Sequence, residues 1–262
     1  MKANNQQIHL YLYRINSGLY KIQTYTNIDK MTNFPTASKR TDALTRSERK
    51  DLTRAILLQA ALDLIGEGRS FTSLGIREIA REAGMVPNAF YRHFRNTDEL
   101  GLALVEEVGI TLRRLLREAR QVGVAPNSMV RRSVDVYYEY VKQNRLQFLF
   151  ISSERSGGSR ILRLAIRNDV THFTNEMAQD FRRLGVYPEM PTSSLQMVCG
   201  LIVTTMLAAA PEILDLPADQ PLLEAEMTEN FVQQLQVVLL GATCWKDKFT
   251  RTSTLNMGQP RP

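Results

Sequence analysis

The run from Gly75 to Phe94, GIREIAREAGMVPNAFYRHF, constrains this chain more than any other feature. Ile76, Ile79, Ala80 and Ala83 recur at the spacing of one helix face, and Phe90 and Phe94 recur on a second. Segments this short cannot bury an apolar stripe alone, so each must pack on the other and on a third element. Gly75 falls at the N-cap position of the first and Glu78 at N3. Gly84 supplies a residue that tolerates positive φ between them, and Pro87 suits the first turn of the helix that follows. Small side chains at Ala80 and Ala83 allow close approach. The third element precedes them: Ile56, Leu57, Ala60, Ala61, Leu64 and Ile65 form a helical stripe that Gly66 and Gly68 end.

What this packing leaves outside on the second short helix, running to about Phe94, is Asn88, Ala89, Tyr91, Arg92 and His93, beside Arg77 and Arg81. A short helix, a tight turn and a second helix at a steep angle is the layout of a helix-turn-helix, which places the second helix in a DNA major groove. The outward face offers groups suited to phosphates and base edges. Taken singly, each of these residues fits a solvated helical hairpin as well; the combination favours DNA.

Charge is distributed in the same sense. The chain carries a formal net charge of +6 over 262 residues. Residues 1–38 hold four Lys/Arg and one acid, and residues 39–95 hold eleven Lys/Arg and seven acids. The remaining 167 residues hold eighteen Lys/Arg and nineteen acids. A basic front on a near-neutral body fits a polyanion bound at one end, whether DNA, RNA or an anionic surface. Lys39, Arg40, Arg46, Arg49 and Lys50 form a basic lead-in that fits phosphates or a solvated face.

The expected fold is all-α with about nine helices. A long fourth helix starts after Asn96, with Glu99 as a capping-box partner, and runs to about Val122. Five more helical segments follow near 127–143, 145–153, 159–184, 193–214 and 221–246, separated by glycines and prolines. Residues 45–108 are read as a three-helix head and 109–246 as a larger helical domain, with 247–262 a flexible tail. Residues 1–44 show no sustained helical period and no secretory-signal pattern. They are expected to be a mobile extension, in part an over-extended reading frame with Met31 as the true start. Leu10–Tyr13 has strand character without an evident partner. No run reaches the roughly 20 uninterrupted apolar residues needed to cross a bilayer. Cys199 and Cys244 sit in apolar helical patterns and read as buried reduced thiols of a cytoplasmic protein.

The run from Phe71 to Val105, with IREIAREAG, FYRHF and DEL, resembles the N-terminal domain of the tetracycline-repressor (TetR) family. The resemblance covers residues 46–108 closely and extends by helix layout to about residue 246. It implies a transcriptional regulator with a helix-turn-helix head and a larger domain that dimerises and binds an effector. Carried over by position, Tyr91 and His93 match phosphate contacts, and Arg77 matches a DNA-reaching residue of the second helix. Pro87, Asn88 and Ala89 match the base-facing start of the recognition helix, and Thr97 a phosphate-touching turn; Arg46, Arg49 and Arg92 complete the expected DNA surface. The usual Ser/Thr N-cap of the second helix is Gly75 here, a small departure. With Pro87 and Ala89 facing bases, readout rests on Asn88, Arg77, apolar contact with thymine methyls and DNA shape.

In the larger domain the last two helices carry more apolar surface than one buried stripe needs: Leu195, Val198, Leu201, Ile202, Thr205, Met206 and Ala209 on one, Phe231, Leu235, Val238, Leu239 and Ala242 on the other. They are core helices or the interface of a two-fold homodimer on palindromic double-stranded DNA; the resemblance favours the second. Leu112, Leu116, Tyr137, Tyr140, Phe148, Phe150, Leu162, Ile166 and Phe173 each suit ordinary core packing. As a group they suit a long apolar effector pocket. The segment Phe148–Asn168, FLFISSERSGGSRILRLAIRN, together with the head, resembles the proteobacterial repressors of unsaturated fatty-acid synthesis and desaturation (FabR/DesT-like). That similarity implies a long-chain acyl-CoA or acyl-carrier-protein effector, with no other cofactor. Arg155, Arg160 and Arg163 suit its phosphates or a solvated face.

Two other readings stay open. A sensor of hydrophobic drugs controlling efflux would share the head and differ in the pocket. An acyl-thioester enzyme has less to stand on: the chain holds three histidines, His9, His93 and His172, and no Gly-x-Ser-x-Gly, phosphate loop or His-Glu-x-x-His. His172 reads as structural, and the chain is taken not to be an enzyme.

Overall fold

The computed structural model describes residues 9–14, 20–25, 45–120, 126–217 and 219–245. Lys39, Arg40, Val122 and the tail from 247 lie outside the described residues. The chain divides after Lys50 into two compact units.

The first unit holds an antiparallel hairpin of β1 (His9–Arg14) and β2 (Tyr20–Tyr25), in a register that sets His9 opposite Tyr25 and Arg14 opposite Tyr20. The strand character of Leu10–Tyr13 therefore has a partner in the run YKIQTY. Aromatic and β-branched residues favour that pairing. That run alternates Tyr20, Ile22 and Thr24 with Lys21 and Gln23, a period-2 strand signal that the reading from sequence overlooked.

From Arg46 onward the fold is all-helical among the described residues, and each of the nine expected helices is present: α1 (Arg46–Gly66), α2 (Ile76–Glu82), α3 (Pro87–Phe90), α4 (Thr97–Ala119), α5 (Pro126–Gln143), α6 (Arg145–Glu154), α7 (Arg160–Arg183), α8 (Thr192–Asp215) and α9 (Pro221–Thr243). A short 3-10 turn at Phe71–Ser73 joins α1 to α2. α1 opens on a capping box not anticipated from sequence: Thr45 Oγ1 accepts the Glu48 N–H at 3.2 Å, and the Glu48 carboxylate accepts the Thr45 N–H at 2.8 Å. At α4, Asn96 Oδ1 accepts the Glu99 N–H at 2.9 Å as expected. The Glu99 carboxylate reaches one residue further back, to the Arg95 N–H at 2.6 Å.

The head is α1, α2 and α3 around Leu57, Leu58, Ala61, Ile79, Phe90 and Phe94, all buried. α4 adds Leu100 and Leu104 to that core and then runs into the larger domain, where it packs on α5 and α7. α8 packs on α5, α6, α7 and α9. The junction needs a residue without a side chain: a Cβ on Gly101 would sit 2.8 Å from Phe71 Cζ and 2.9 Å from Leu162 Cδ2. A second link joins the α6–α7 turn to the start of α4, where Ser159 Oγ donates to Asp98 Oδ1 at 3.0 Å.

α8 runs through Pro211 to Asp215 and is apolar on most sides, with mean hydropathy 1.9 over its most apolar window. By length and composition it suffices to cross a bilayer, yet half of that window is buried in this chain. The apolar surplus of the last two helices is two-sided. Leu195, Val198, Ile202, Met206, Ala209, Phe231, Leu235 and Ala242 are buried, whereas Met197, Leu201, Val237 and Leu240 face outward. Thr205, Val238 and Leu239 are half-buried. Cys199 is buried as expected, but Cys244 is exposed, because it caps α9 beyond the last residue that packs inward.

Candidate nucleic-acid interface and effector cavity

The orientation of α3 is set where α2 ends. Gly84 has φ +67°, the Met85 N–H returns to the Ala80 carbonyl at 2.8 Å, and the Gly84 N–H returns to Arg81 at 3.0 Å. This pair of bonds is a Schellman closure, with half-buried Met85 supplying its apolar contact. A Cβ at Gly84 would meet nothing within 4 Å, so the backbone alone requires glycine. Gly84→Ala is expected to lower stability by about 1–2 kcal/mol, the cost of a left-handed L-residue. A urea melt checks it; an unchanged midpoint would mean that the turn adopts another conformation.

α3 is shorter than its pattern implies. Regular helix covers Pro87–Phe90, and a tight turn follows in which the His93 and Phe94 N–H groups both return to the Phe90 carbonyl, at 2.9 and 3.0 Å. Phe90 and Phe94 point inward with ring centroids 5.6 Å apart. Arg54 of α1 lies 5.2 Å over the Phe94 ring and pairs with Glu107 of α4 at 2.9 Å, clamping the turn from behind. The side away from this core presents Pro87, Asn88 and Arg92, with Tyr91 58% exposed. Arg77 and Arg81 of α2 are exposed. Ala89, His93 and Thr97 are half-buried, so they lie at the margin of this face rather than on its crest. Arg46, Arg49 and Lys50 are exposed on the first turn of α1.

One residue of this face was missed by the reading from sequence. Val86 is the N-cap of α3 and is 69% exposed. Its signal was available: Met85 satisfies the apolar contact of the Schellman closure, which leaves Val86 on neither helix face.

Electrostatics in the head is arranged around α2. The Glu78 carboxylate accepts from Arg69, and that contact holds it below the usual carboxylate range. Arg81 adds to the same pull on Glu78, whose salt bridge is with Arg69.

In the larger domain two small cavities lie side by side. The first, about 60 Å³, is lined by Leu112, Tyr137, Phe148, Ile166 and Phe173, with Met206 and Val203 from α8. The second, about 40 Å³, is lined by Leu116 and Phe173 with the same Met206 and Val203. Phe173, Val203 and Met206 are thus the partition between them. Leu162 and Tyr140 line neither. Leu162 is fully buried as the wedge against Gly101, and the Tyr140 ring is edge-on to Phe148 at 5.6 Å. Burial pushes the Tyr140 hydroxyl up to about 12. Phe150 is likewise a packing residue, edge-on to Phe71 at 5.0 Å. Arg155 and Arg160 are exposed, while Arg163 donates to the Gly157 carbonyl.

α4 is tied to α7 by a ladder of ion pairs beside these cavities. Arg113 pairs with Asp169; Arg117 reaches Glu176 at 2.8 Å; Arg120 reaches Asp180 at 2.9 Å and lies 5.9 Å over the Phe173 ring. Arg120 is only 4% exposed. Burial pulls its guanidinium down from the usual arginine range, and Asp180 pushes it back up. No group of three or more His, Cys, Asp or Glu able to hold a metal occurs among the described residues.

Comparison with known proteins bears on both parts. The family model of bacterial regulatory proteins, tetR family, matches residues 57–104, which cover most of the head and the start of α4. The model of the tetracyclin repressor-like C-terminal domain matches residues 126–239, from the start of α5 into α9. Among solved structures the chain is similar to a tetR-family transcriptional regulator from Syntrophomonas wolfei (17% identity, TM-score 0.61, 73% of this chain and 96% of that one). It is similar to a transcriptional regulator from Pseudomonas aeruginosa PAO1 (16% identity, TM-score 0.59, 80% and 97%). It is also similar to the fatty acid degradation regulator FadR from Bacillus halodurans (16% identity, TM-score 0.55, 72% and 95%). At these identities the likeness is one of fold. With the head and the larger domain each matched by a model of the same family, the chain belongs to the TetR family of DNA-binding transcriptional regulators.

Proposed function

We propose that the chain is a repressor, acting in the bacterial cytoplasm, that controls fatty-acid desaturation or unsaturated fatty-acid synthesis in response to a long-chain acyl-CoA or acyl-carrier protein. The outward face of α3, fixed by the Gly84 closure, carries the DNA half of this reading. In this reading Asn88 reads a base edge, Val86, Pro87 and Ala89 touch thymine methyls, and Tyr91, Arg92, His93, Arg77 and Thr97 hold phosphates. Tyr91→Phe and His93→Ala are expected to weaken binding alike on all duplexes, because phosphate contacts carry little sequence information. Asn88→Ala is expected to relax preference at one base pair by about 1–3 kcal/mol. A gel-shift series with the reverse pattern would overturn these roles.

A palindromic operator asks for a two-fold dimer, and the outward stripe of Met197, Leu201, Val237 and Leu240 on α8 and α9 is the surface we assign to it. For the effector, the largely hydrocarbon lining of the two cavities, interrupted by Tyr137 and Asp169 in the first and by Arg120 and Ser133 in the second, supports an apolar chain, as does the likeness of Phe148–Asn168 and the head to FabR/DesT-type repressors. A fold relative described as a fatty acid degradation regulator is in keeping with it. Cavities of about 60 and 40 Å³ are far below a ligand site of roughly 300 Å³ or more. To enter this site a long chain has to part Phe173, Val203 and Met206 and merge the two cavities. That displaces α7 and α8 relative to α4, which continues into the head, and shifts the population of head positions. Melting the protein with oleoyl-CoA and with a panel of hydrophobic drugs separates the readings. Stabilisation of roughly 2.7 kcal/mol at a hundredfold excess over Kd is expected from the thioester. Stabilisation by the drugs alone would place the protein among efflux regulators.

A further inference from the structure

The first cavity is hydrocarbon except at two side chains. The Asp169 carboxylate at its edge is already held by Arg113. The Tyr137 hydroxyl is not held: it is buried without a hydrogen-bond partner on a residue that is 2% exposed. Its ring lies edge-on to Phe148 at 5.9 Å, so the hydroxyl has a packed ring behind it rather than a freely swinging one. Burial pushes its pKa upward, and the group is a neutral O–H donor throughout the physiological range. The charge that acts on it is Arg155, a cation, which cannot accept a hydrogen bond. An unmet donor among hydrocarbon walls disfavours the free protein relative to phenylalanine at the same place. It is also one half of a recognition pair.

We infer that Tyr137 is the specificity residue of this cavity, its O–H donating to the carbonyl oxygen of an acyl chain bound there. The inference rests on the effector reading above and deepens it: the cavity selects acyl compounds over plain hydrocarbon chains of equal length. A hydrocarbon would fill the same walls but leave the donor unmet. Asp169 cannot replace Tyr137 in this role, because a carboxylate has no proton to give a carbonyl and is engaged by α4.

Calorimetric titration of the full chain with oleoyl-CoA and with S-oleyl-CoA, the thioether lacking only the carbonyl oxygen, tests this. The wild type is expected to bind the thioester about tenfold more tightly, the usual worth of one neutral hydrogen bond in a closed site. Tyr137→Phe is expected to bind both at the level of the thioether, while the free variant melts no lower than the wild type. Equal binding of the two probes by the wild type would overturn the inference and leave acyl sensing intact. Discrimination that survives in Tyr137→Phe would overturn it, as would a lower melting temperature of the free variant, which would show that the hydroxyl already has a structural partner. Binding of neither probe would overturn both this inference and the acyl reading.

Discussion

Asp180→Ala is expected to lower the free energy of unfolding by about 3–5 kcal/mol, because it strands a buried guanidinium. Asp180 is itself buried and accepts from Arg120 at 2.9 Å and from Arg183 at 3.0 Å, with Arg117 3.9 Å away. Arg117 and Arg183 are half or more exposed and would turn to water. Arg120, at 4% exposure beneath Phe173, has no water to turn to and cannot shed its proton. The loss should appear as a lower urea midpoint at an unchanged slope. Asp180→Asn, which keeps an acceptor, should cost less. Replacing Arg120 and Asp180 together by Met and Leu should be close to neutral, since burying the pair is itself expensive. A loss below about 1 kcal/mol for Asp180→Ala would mean that the α4–α7 seam is hydrated and that the ladder does not lock the two helices.

The second large effect falls on the head. Phe90→Ala is expected to cost about 3–5 kcal/mol, the range for removing a buried aromatic ring. Phe90 is fully buried, touches Phe94 and Tyr91, and closes the turn that ends α3. Its loss frees the segment that carries Asn88 and Tyr91, so DNA binding should fall further than the fraction of folded protein explains. Tyr91→Phe is the control one residue away: its ring stays and its hydroxyl is outside, so stability should change by less than about 0.5 kcal/mol. Equal stability losses for the two would show that Tyr91 is packed inward, contrary to its orientation here.

Where the sequence was legible, it was so for physical reasons. Periodicities at Ile76–Ala83 and Leu100–Leu116, with Gly84 and Asn96 as punctuation, placed the head and α4, because local pattern and local capping chemistry agree there. The tight geometry after Phe90 was not legible, since Tyr91, Arg92 and His93 suit a helix equally well. His93 was placed outward by a helical continuation that stops at Phe90, whereas Ala89 lies within α3 and is half-buried at the margin of its outward face. In the larger domain the apolar residues were correctly gathered into one core. Sorting cavity wall from plain packing depends on neighbours far along the chain. Leu162 is a wedge only because Gly101 lies opposite, and Tyr137 lines a cavity while Tyr140 on the same helix does not. The ion-pair ladder was equally hidden, because its partners are 56 to 60 residues apart.

The most direct measurement is amide hydrogen exchange on the full chain, with and without a duplex drawn from the DNA flanking its own gene. Protection on binding should concentrate in residues 75–97, strongest across Val86–His93, with the outer face of α8 and α9 unchanged. Protection confined to the larger domain, with α3 exchanging as fast on DNA as off it, would contradict the account.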